Sequence, residues 1–221
     1  GQGNDTYYYH LGDGKVSITD VAALGEGNTI VFGEGISADD IELVAHSDTL
    51  TLQINDNGDE IDLAVFDRLD VYGEHAVDTF VFADGTSLSY VELLERGFDI
   101  SGSESDDMLI GTSGQDRITG LGGDDIMESG PGSDLLEGGS GNDTYVFNLG
   151  DGVDTIRDAA SPGAGNVVDF GIGITSADLT LSADGNTLVI SVGSTGDALR
   201  LEGFDPENPY STVSIETFRF A

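Results

Sequence analysis

Residues Gly102 to Val146 read GSESDDMLI, GTSGQDRIT, GLGGDDIME, SGPGSDLLE and GGSGNDTYV, five consecutive nonapeptides with no gap between them. Position six is aspartate in every one: Asp107, Asp116, Asp125, Asp134 and Asp143. Position eight is always apolar or aromatic: Leu109, Ile118, Met127, Leu136 and Tyr145. Position four is glycine in four of them and Ser105 in the first. A Gly/Asp-rich linker has no reason to hold an apolar residue at position eight, so the period describes structure. Glycines in the first six residues permit positive φ and let the backbone curl its carbonyls inward. The last three form a short strand with one side chain pointing in. Two nonapeptides then complete one coil of two turns and two strands.

Residues eighteen apart stack in successive coils. That pairs Asp107 with Asp125, Asp125 with Asp143, and Asp116 with Asp134. Each pair, with carbonyls of its two turns, makes a hard cage of oxygen. Calcium accepts roughly six to eight such ligands in flexible geometry, whereas magnesium demands a tighter octahedron. Zinc favours His and Cys, and the chain has no Cys. The carbonyl candidates lie at Gly114, Gly120, Gly122, Gly123, Gly132 and Gly138. Leu109, Ile118, Met127 and Leu136 form the thin apolar interior. The motif resembles the repeats-in-toxin (RTX) nonapeptide G-G-x-G-x-D-x-U-x, a calcium-binding parallel β-roll.

Working outward, Leu149 to Arg157 (LGDGVDTIR) is a sixth, degenerate nonapeptide displaced by two residues, with Asp154 at position six and Ile156 at position eight. Asp154 is therefore a partner for Asp134. Gly1 to Tyr7 (GQGNDTY) echoes Gly139 to Tyr145 (GSGNDTY), and the echo continues. Residues 1–83 align with 139–221 at a constant offset of 138, with 35 of 83 positions identical. The chain is a tandem duplication. Its first copy retains only the last half-repeat of a roll, so Asp5 occupies the slot of Asp143 without an aspartate eighteen residues before it. A weak or empty site is expected there. The slot of Asp154 holds Val16 in the first copy, so that site is expected to be lost. Asn28 and Asn166 end a further glycine turn in each copy, where their carbonyls offer weak ligands.

The flanks alternate like antiparallel strands. Leu179 to Val192 reads as a hairpin turning at Asp184-Gly185, and Ile41 to Ile54 as one turning near Ser47-Asp48. Ile61 to Phe66 and Leu199 to Phe204 are third strands. Ser37 and Ser176 each cap a brief helical turn. Ser89 with Glu92 forms a capping box for a short helix that Gly97 stops. The flanks resemble the domain that accompanies RTX repeats in haemolysin-type proteins, and they cover the open strand edges at the end of the roll. The expected fold is all-β: a parallel β-roll (about 102–157) capped by flanking antiparallel strands, with one linking helix. The expected division is 1–98, the end of a truncated roll with its flank, and 99–221, the roll with the second flank.

Composition narrows the function. Asp and Glu number 42 against seven Lys and Arg, a formal charge of −35 over 221 residues. Such a chain repels nucleic acid and anionic membrane and attracts cations. The same charge opposes compaction, which predicts a loosely folded chain without calcium. No apolar run is long enough to span a membrane. Without Cys, a secreted protein needs another staple, and metal is the natural one. The chain begins within a motif and not at Met, which reads as a fragment of a longer protein. No catalytic constellation emerges: His10, His46 and His75 are scattered, and no nucleophile-elbow or phosphate-loop motif is present. The chain is read as a non-enzyme. Tyr7, Tyr8 and Tyr9 read as strand core, and the sequons at Asn4 and Asn142 as incidental to the turns.

The RTX resemblance implies a monomeric module that binds several calcium ions and belongs to a secreted bacterial protein, at the cell surface or outside it. It implies type I export, with folding on external calcium. Two other readings remain open. One is an adhesin or surface-binding module. The other is an appendage of a secreted enzyme or a self-processing protein, for which Asp205-Pro206 is the labile bond.

Overall fold

The computed structural model describes residues 3–20, 27–158, 165–208 and 214–221. The chain divides into two compact units, Gly1–Asp99 and Ile100–Ala221. The first holds β1 (Thr6–Tyr9), β2 (Lys15–Ile18), β3 (Thr29–Phe32), β4 (Ile41–Ala45), β5 (Thr49–Ile54), β6 (Asp59–Ala64), β7 (Thr79–Val81), β8 (Ser87–Ser89) and helix α1 (Tyr90–Leu94). Next come β9 (Phe98–Ser101), β10 (Met108–Ile110), β11 (Asp116–Gly122), β12 (Ile126–Glu128), β13 (Leu135–Ser140), β14 (Thr144–Phe147) and β15 (Val153–Ile156). β16 (Val167–Phe170), β17 (Leu179–Asp184), β18 (Thr187–Val192), β19 (Asp197–Glu202) and β20 (Thr217–Phe220) complete the chain.

In the second unit, one parallel sheet runs β10-β12-β14-β16-β20. The other runs β17-β18-β19-β15-β13-β11-β9. From β9 to β17 consecutive strands alternate between the two sheets, which is the winding of a β-roll. Register follows the sequence period. Leu109 pairs with Met127 and Met127 with Tyr145 in one sheet, and Ile118 with Leu136 in the other. Each position-eight side chain therefore lies beside its neighbour one coil on, and all five are buried. Beyond the fifth nonapeptide the step lengthens. Leu136 pairs with Ile156, twenty residues on, and Tyr145 with Val168, twenty-three on. The ladder survives the longer loops because the backbone pairing needs matched strands and not equal turns.

The flank then turns antiparallel: β17 pairs with β18 and β18 with β19, while β19 stays parallel to β15. Asp184 faces Thr187 across a tight turn with Gly185 at φ +58°. The first unit repeats this plan at an offset of 138 residues, β1 to β7 matching β14 to β20. Its sheets run β1-β3-β7-β8 and β2-β6-β5-β4. Their shared interior takes Phe32, Leu43, Leu50, Leu52, Ile54, Ile61 and Phe80, all buried.

Two local expectations shift. The third flank strands are Asp59–Ala64 and Asp197–Glu202, starting two residues before Ile61 and Leu199. The extension is polar: Asp59 accepts hydrogen bonds from the Gly12 and Gly14 N–H groups, which draws the residue into the strand. In the second flank the helical turn is capped by Thr175, not Ser176, and closed by Asp178. Ser37 caps the first as expected. Ser89 and Glu92 close the capping box of α1.

Candidate metal centre

Each turn of the roll places its position-six aspartate directly over the next. The Asp107 N–H donates to Asp125 Oδ1 at 2.8 Å, and the Asp125 N–H donates to Asp143 Oδ1 at 3.0 Å. On the other edge, the Asp116 N–H donates to Asp134 Oδ1 at 2.8 Å, and the Asp134 N–H to Asp154 Oδ1 at 3.1 Å. The stacked pairs expected from the eighteen-residue spacing are thus neighbours, and the degenerate Asp154 joins them. Asp125 and Asp134 are equivalent, each lying between two others. The Asp143 N–H donates to Asn166 Oδ1, and the Asp5 N–H to Asn28 Oδ1. Both ladders that reach an asparagine end on a neutral side chain. Val16, in the first-copy slot of Asp154, lies on β2.

The second carboxylate oxygen separates the aspartates into two classes. In the first coil it has local donors. Ser103 N–H and Oγ donate to Asp107 Oδ2, and Thr112 N–H donates to Asp116 Oδ2 with its hydroxyl alongside. Position two of the next three nonapeptides is Leu121, Gly130 and Gly139, with no hydroxyl to give. Oδ2 of Asp125, Asp134 and Asp143 is accordingly buried with no hydrogen-bond partner. An unpaired buried acceptor costs about 1–3 kcal/mol, more when charged. Asp154 is satisfied by Ser129 Oγ.

Burial pushes the acidity of these groups in one direction. Desolvation raises the pKa of Asp125, Asp134, Asp143 and Asp154, and neighbouring carboxylates add to it. For Asp143 the value is pushed up to about 6, by burial first and then by the like charge of the Asp158 carboxylate. Asp134 and Asp154 face each other and are both raised by burial above the carboxylate range. Buried anions of one sign remain ionised only where a cation or a set of donors balances them.

The glycines close the cage. A side-chain carbon on Gly120 would strike Asp125 Oδ2 and the Gly138 carbonyl, and one on Gly132 would strike the Gly114 carbonyl and Asp134. The Gly120 carbonyl approaches the turn of Gly102 and Asp107, and those of Gly123 and Gly132 approach Gly141 and Gly152 in the next coil. Gly122 faces Ser140 and Glu104 instead of a position-six carboxylate. The Ser129 carbonyl, which stands in the position-one slot facing Gly111 and Asp116, is a further candidate oxygen. Its serine hides it from a search for glycine. Among the described residues no group of three or more His, Cys, Asp or Glu side chains gathers at one point. The carboxylates come in pairs, so the rest of a cation's shell falls to backbone carbonyls. Unpartnered carboxylate oxygens, inward carbonyls and no nitrogen or sulfur donor fit a hard divalent cation of flexible coordination, which is calcium.

Comparison with known proteins agrees with this chemistry. The family model of the RTX calcium-binding nonapeptide repeat (four copies) matches residues 101–136 and 127–156. That of the haemolysin-type calcium binding protein related domain matches 49–91. No curated protein matches the chain. Among solved structures, the extracellular lipase LipA from Serratia marcescens is 16% identical with a TM-score of 0.30, the match covering 93% of this chain. The chain spans 36% of that lipase. The AlgE6R3 subunit of the Azotobacter vinelandii mannuronan C5-epimerase is 30% identical with a TM-score of 0.24, over 46% of this chain and 73% of that one. Among the described residues no helix is long and apolar enough to cross a membrane.

Proposed function

Because the chain is an RTX haemolysin-type calcium-binding repeat protein, we propose that it is a non-catalytic module of a secreted bacterial protein that folds on calcium outside the cell. The observation that carries this reading is the set of three buried Oδ2 atoms, on Asp125, Asp134 and Asp143, with no donor to satisfy them. Asp107, Asp116, Asp125, Asp134, Asp143 and Asp154, with carbonyls such as those of Gly114, Gly120, Gly138 and Ser129, are the residues that would hold the ions. Bound calcium supplies positive charge that balances the stacked carboxylates.

The rest follows from the chain. At −35 it repels itself, and without counter-ions the roll pays to bring its carboxylates together. One apolar residue per nonapeptide offers little in return. Where calcium is scarce, as in a cytosol, the roll stays open and fits export through a narrow conduit. Where it is millimolar, as for typical extracellular modules, the turns close on one another. Coils contact only their neighbours, so closure propagates along the roll. The parent protein, export by a type I system, and a monomeric state in isolation belong to this proposal.

Far-UV circular dichroism during a calcium titration, with magnesium as control, tests it. A steep gain of β signal with calcium alone is expected. A spectrum already β-rich in chelator and indifferent to calcium contradicts it and makes the roll a passive spacer.

A further inference from the structure

Asp143 has no aspartate eighteen residues ahead of it; that position is Ser161. Its ladder ends on Asn166, yet its Oδ2 is buried with no hydrogen-bond partner. A side-chain carbon on Gly138 would collide with both this oxygen and the Tyr145 hydroxyl, so the two oxygens face each other across that glycine. Tyr145 Oη donates to Asp158 Oδ2 at 2.5 Å. The Asn166 side chain bridges the group, accepting the Asp143 N–H and donating to Asp158 Oδ2 at 2.6 Å. A second carboxylate, fifteen residues on and outside the nonapeptide pattern, thus comes to the end of the ladder.

The first copy repeats the tyrosine–aspartate and aspartate–asparagine contacts of this group. Tyr7 Oη donates to Asp20 Oδ2 at 2.5 Å, and the Asp5 N–H donates to Asn28 Oδ1 at 2.9 Å. Asp5, Tyr7, Asp20 and Asn28 match Asp143, Tyr145, Asp158 and Asn166 one for one at the offset of 138. Across the duplicated 83 positions, 48 differ between the copies. A ladder that needed only a neutral end would be complete with the asparagine. The added carboxylate beside an unsatisfied buried oxygen is the opposite of what an end cap requires.

We infer that Asp143 with Asp158, and Asp5 with Asp20, each hold a calcium ion at the end of a ladder, in a site distinct from the eighteen-residue pairs. Tyr145 and Tyr7 position the outer carboxylate, and Asn166 and Asn28 fix the inner one. The remaining oxygens are backbone carbonyls or water, as calcium accepts both. The inference rests on the proposed calcium-binding role for the identity of the ion. It removes the expectation that Asp5 stands alone.

The test is calcium stoichiometry by isothermal titration calorimetry on the full chain, comparing wild type with the double variant Asp20→Asn/Asp158→Asn. Loss of two ions, with the circular dichroism transition of the roll retained, is expected. Equal stoichiometry overturns the inference and leaves the roll sites standing; no calcium binding by the wild type overturns both readings. If the double variant does not fold, tyrosine-sensitised terbium emission decides. The chain has no Trp, and the position eighteen residues after Asp5 is Ala23, so Tyr7 reports the site of Asp5 and Asp20. Tyr7→Phe should remove a distinct part of the emission, and emission unchanged by Tyr7→Phe overturns the inference.

Discussion

In the first unit, β4, β5 and β6 deliver Leu43, Leu50, Leu52, Ile54 and Ile61 into an interior shared with Phe32 and Phe80. Over residues 102–157, each nonapeptide buries one side chain at position eight, and the inner ones bury a carboxylate at position six beside it. Both regions are β structure, but β4, β5 and β6 pair antiparallel whereas the strands of the roll pair in parallel. They differ in what removes surface from water. A buried Leu contributes about 1.5–3 kcal/mol, and the first unit gathers 22 buried apolar and aromatic residues in one cluster among the described residues. The roll sets its single Leu, Ile or Met against an anion that opposes burial. On the proposed reading the apolar flank folds on its own chemistry, whereas the roll needs a counter-charge. On that reading it is the residue at position six, and not the fold class, that sets stability.

That contrast can be broken from either side. Asp134→Ala or Asp125→Ala should raise the calcium midpoint of the roll on the order of tenfold or more. Asp107→Ala should raise it less, because Ser103 already satisfies its Oδ2 and it has a stacked partner on one side only. Leu52→Ala should leave that midpoint unchanged while destabilising the first unit by about 2–5 kcal/mol. Calcium titrations and thermal melts of the three kinds of variant check this. Equal midpoints for Asp134→Ala and Asp107→Ala would mean that the unpartnered oxygens are not where the cations act.

Acidity should partly replace calcium. A carboxyl whose folded pKa is raised holds more protons folded than unfolded. Its contribution to the metal-free fold is present below the unfolded value near 4, declines above it, and is gone once pH passes the folded value. For Asp143 that window runs from about 4 to about 6, and Asp125, Asp134 and Asp154 shift the same way. In chelator, the roll should show more β signal at pH 4.5 than at pH 7.5. With calcium the order should reverse, since ligands must lose their protons to bind. An ellipticity in chelator that does not vary across this range counts against the buried anions as the obstacle to folding.

How far the sequence reveals this depends on the residue. The period of nine places Leu109, Ile118, Met127 and Leu136 in one column because side-chain direction in a strand is fixed by spacing. The offset of 138 locates every strand of the second flank once the first is known. Hairpin turns at Ser47-Asp48 and at Asp184-Gly185 are local chemistry and fall where expected. Asp59 is harder to see, because it joins β6 through hydrogen bonds to Gly12 and Gly14, more than forty residues away. At the site, the aspartate stacking is written in the spacing. The difference between Asp107 and Asp125 is not, for it rests on whether position two carries a hydroxyl. Asp158 escapes the nonapeptide period altogether, and only its recurrence as Asp20 marks it.

A smaller effect sits at that same position two. Leu121 is half-exposed with φ at +76°, where its counterparts Gly130 and Gly139 are also positive. A branched side chain there carries about 1–2 kcal/mol of left-handed strain. Leu121→Gly should therefore stabilise the calcium-loaded roll slightly, by less than about 1 kcal/mol after the entropy lost by glycine, seen as a small rise in melting temperature. A fall would mean that Leu121 makes contacts worth more than its strain.

Whether calcium alone closes the roll is read by hydrogen–deuterium exchange with peptide-level mass spectrometry, in chelator and in millimolar calcium. In chelator the amides of β5 and β6 should stay protected while those of β11, β12 and β13 exchange freely, and calcium should protect the latter group. Protection of β11 to β13 in chelator equal to that in calcium would contradict calcium-driven closure.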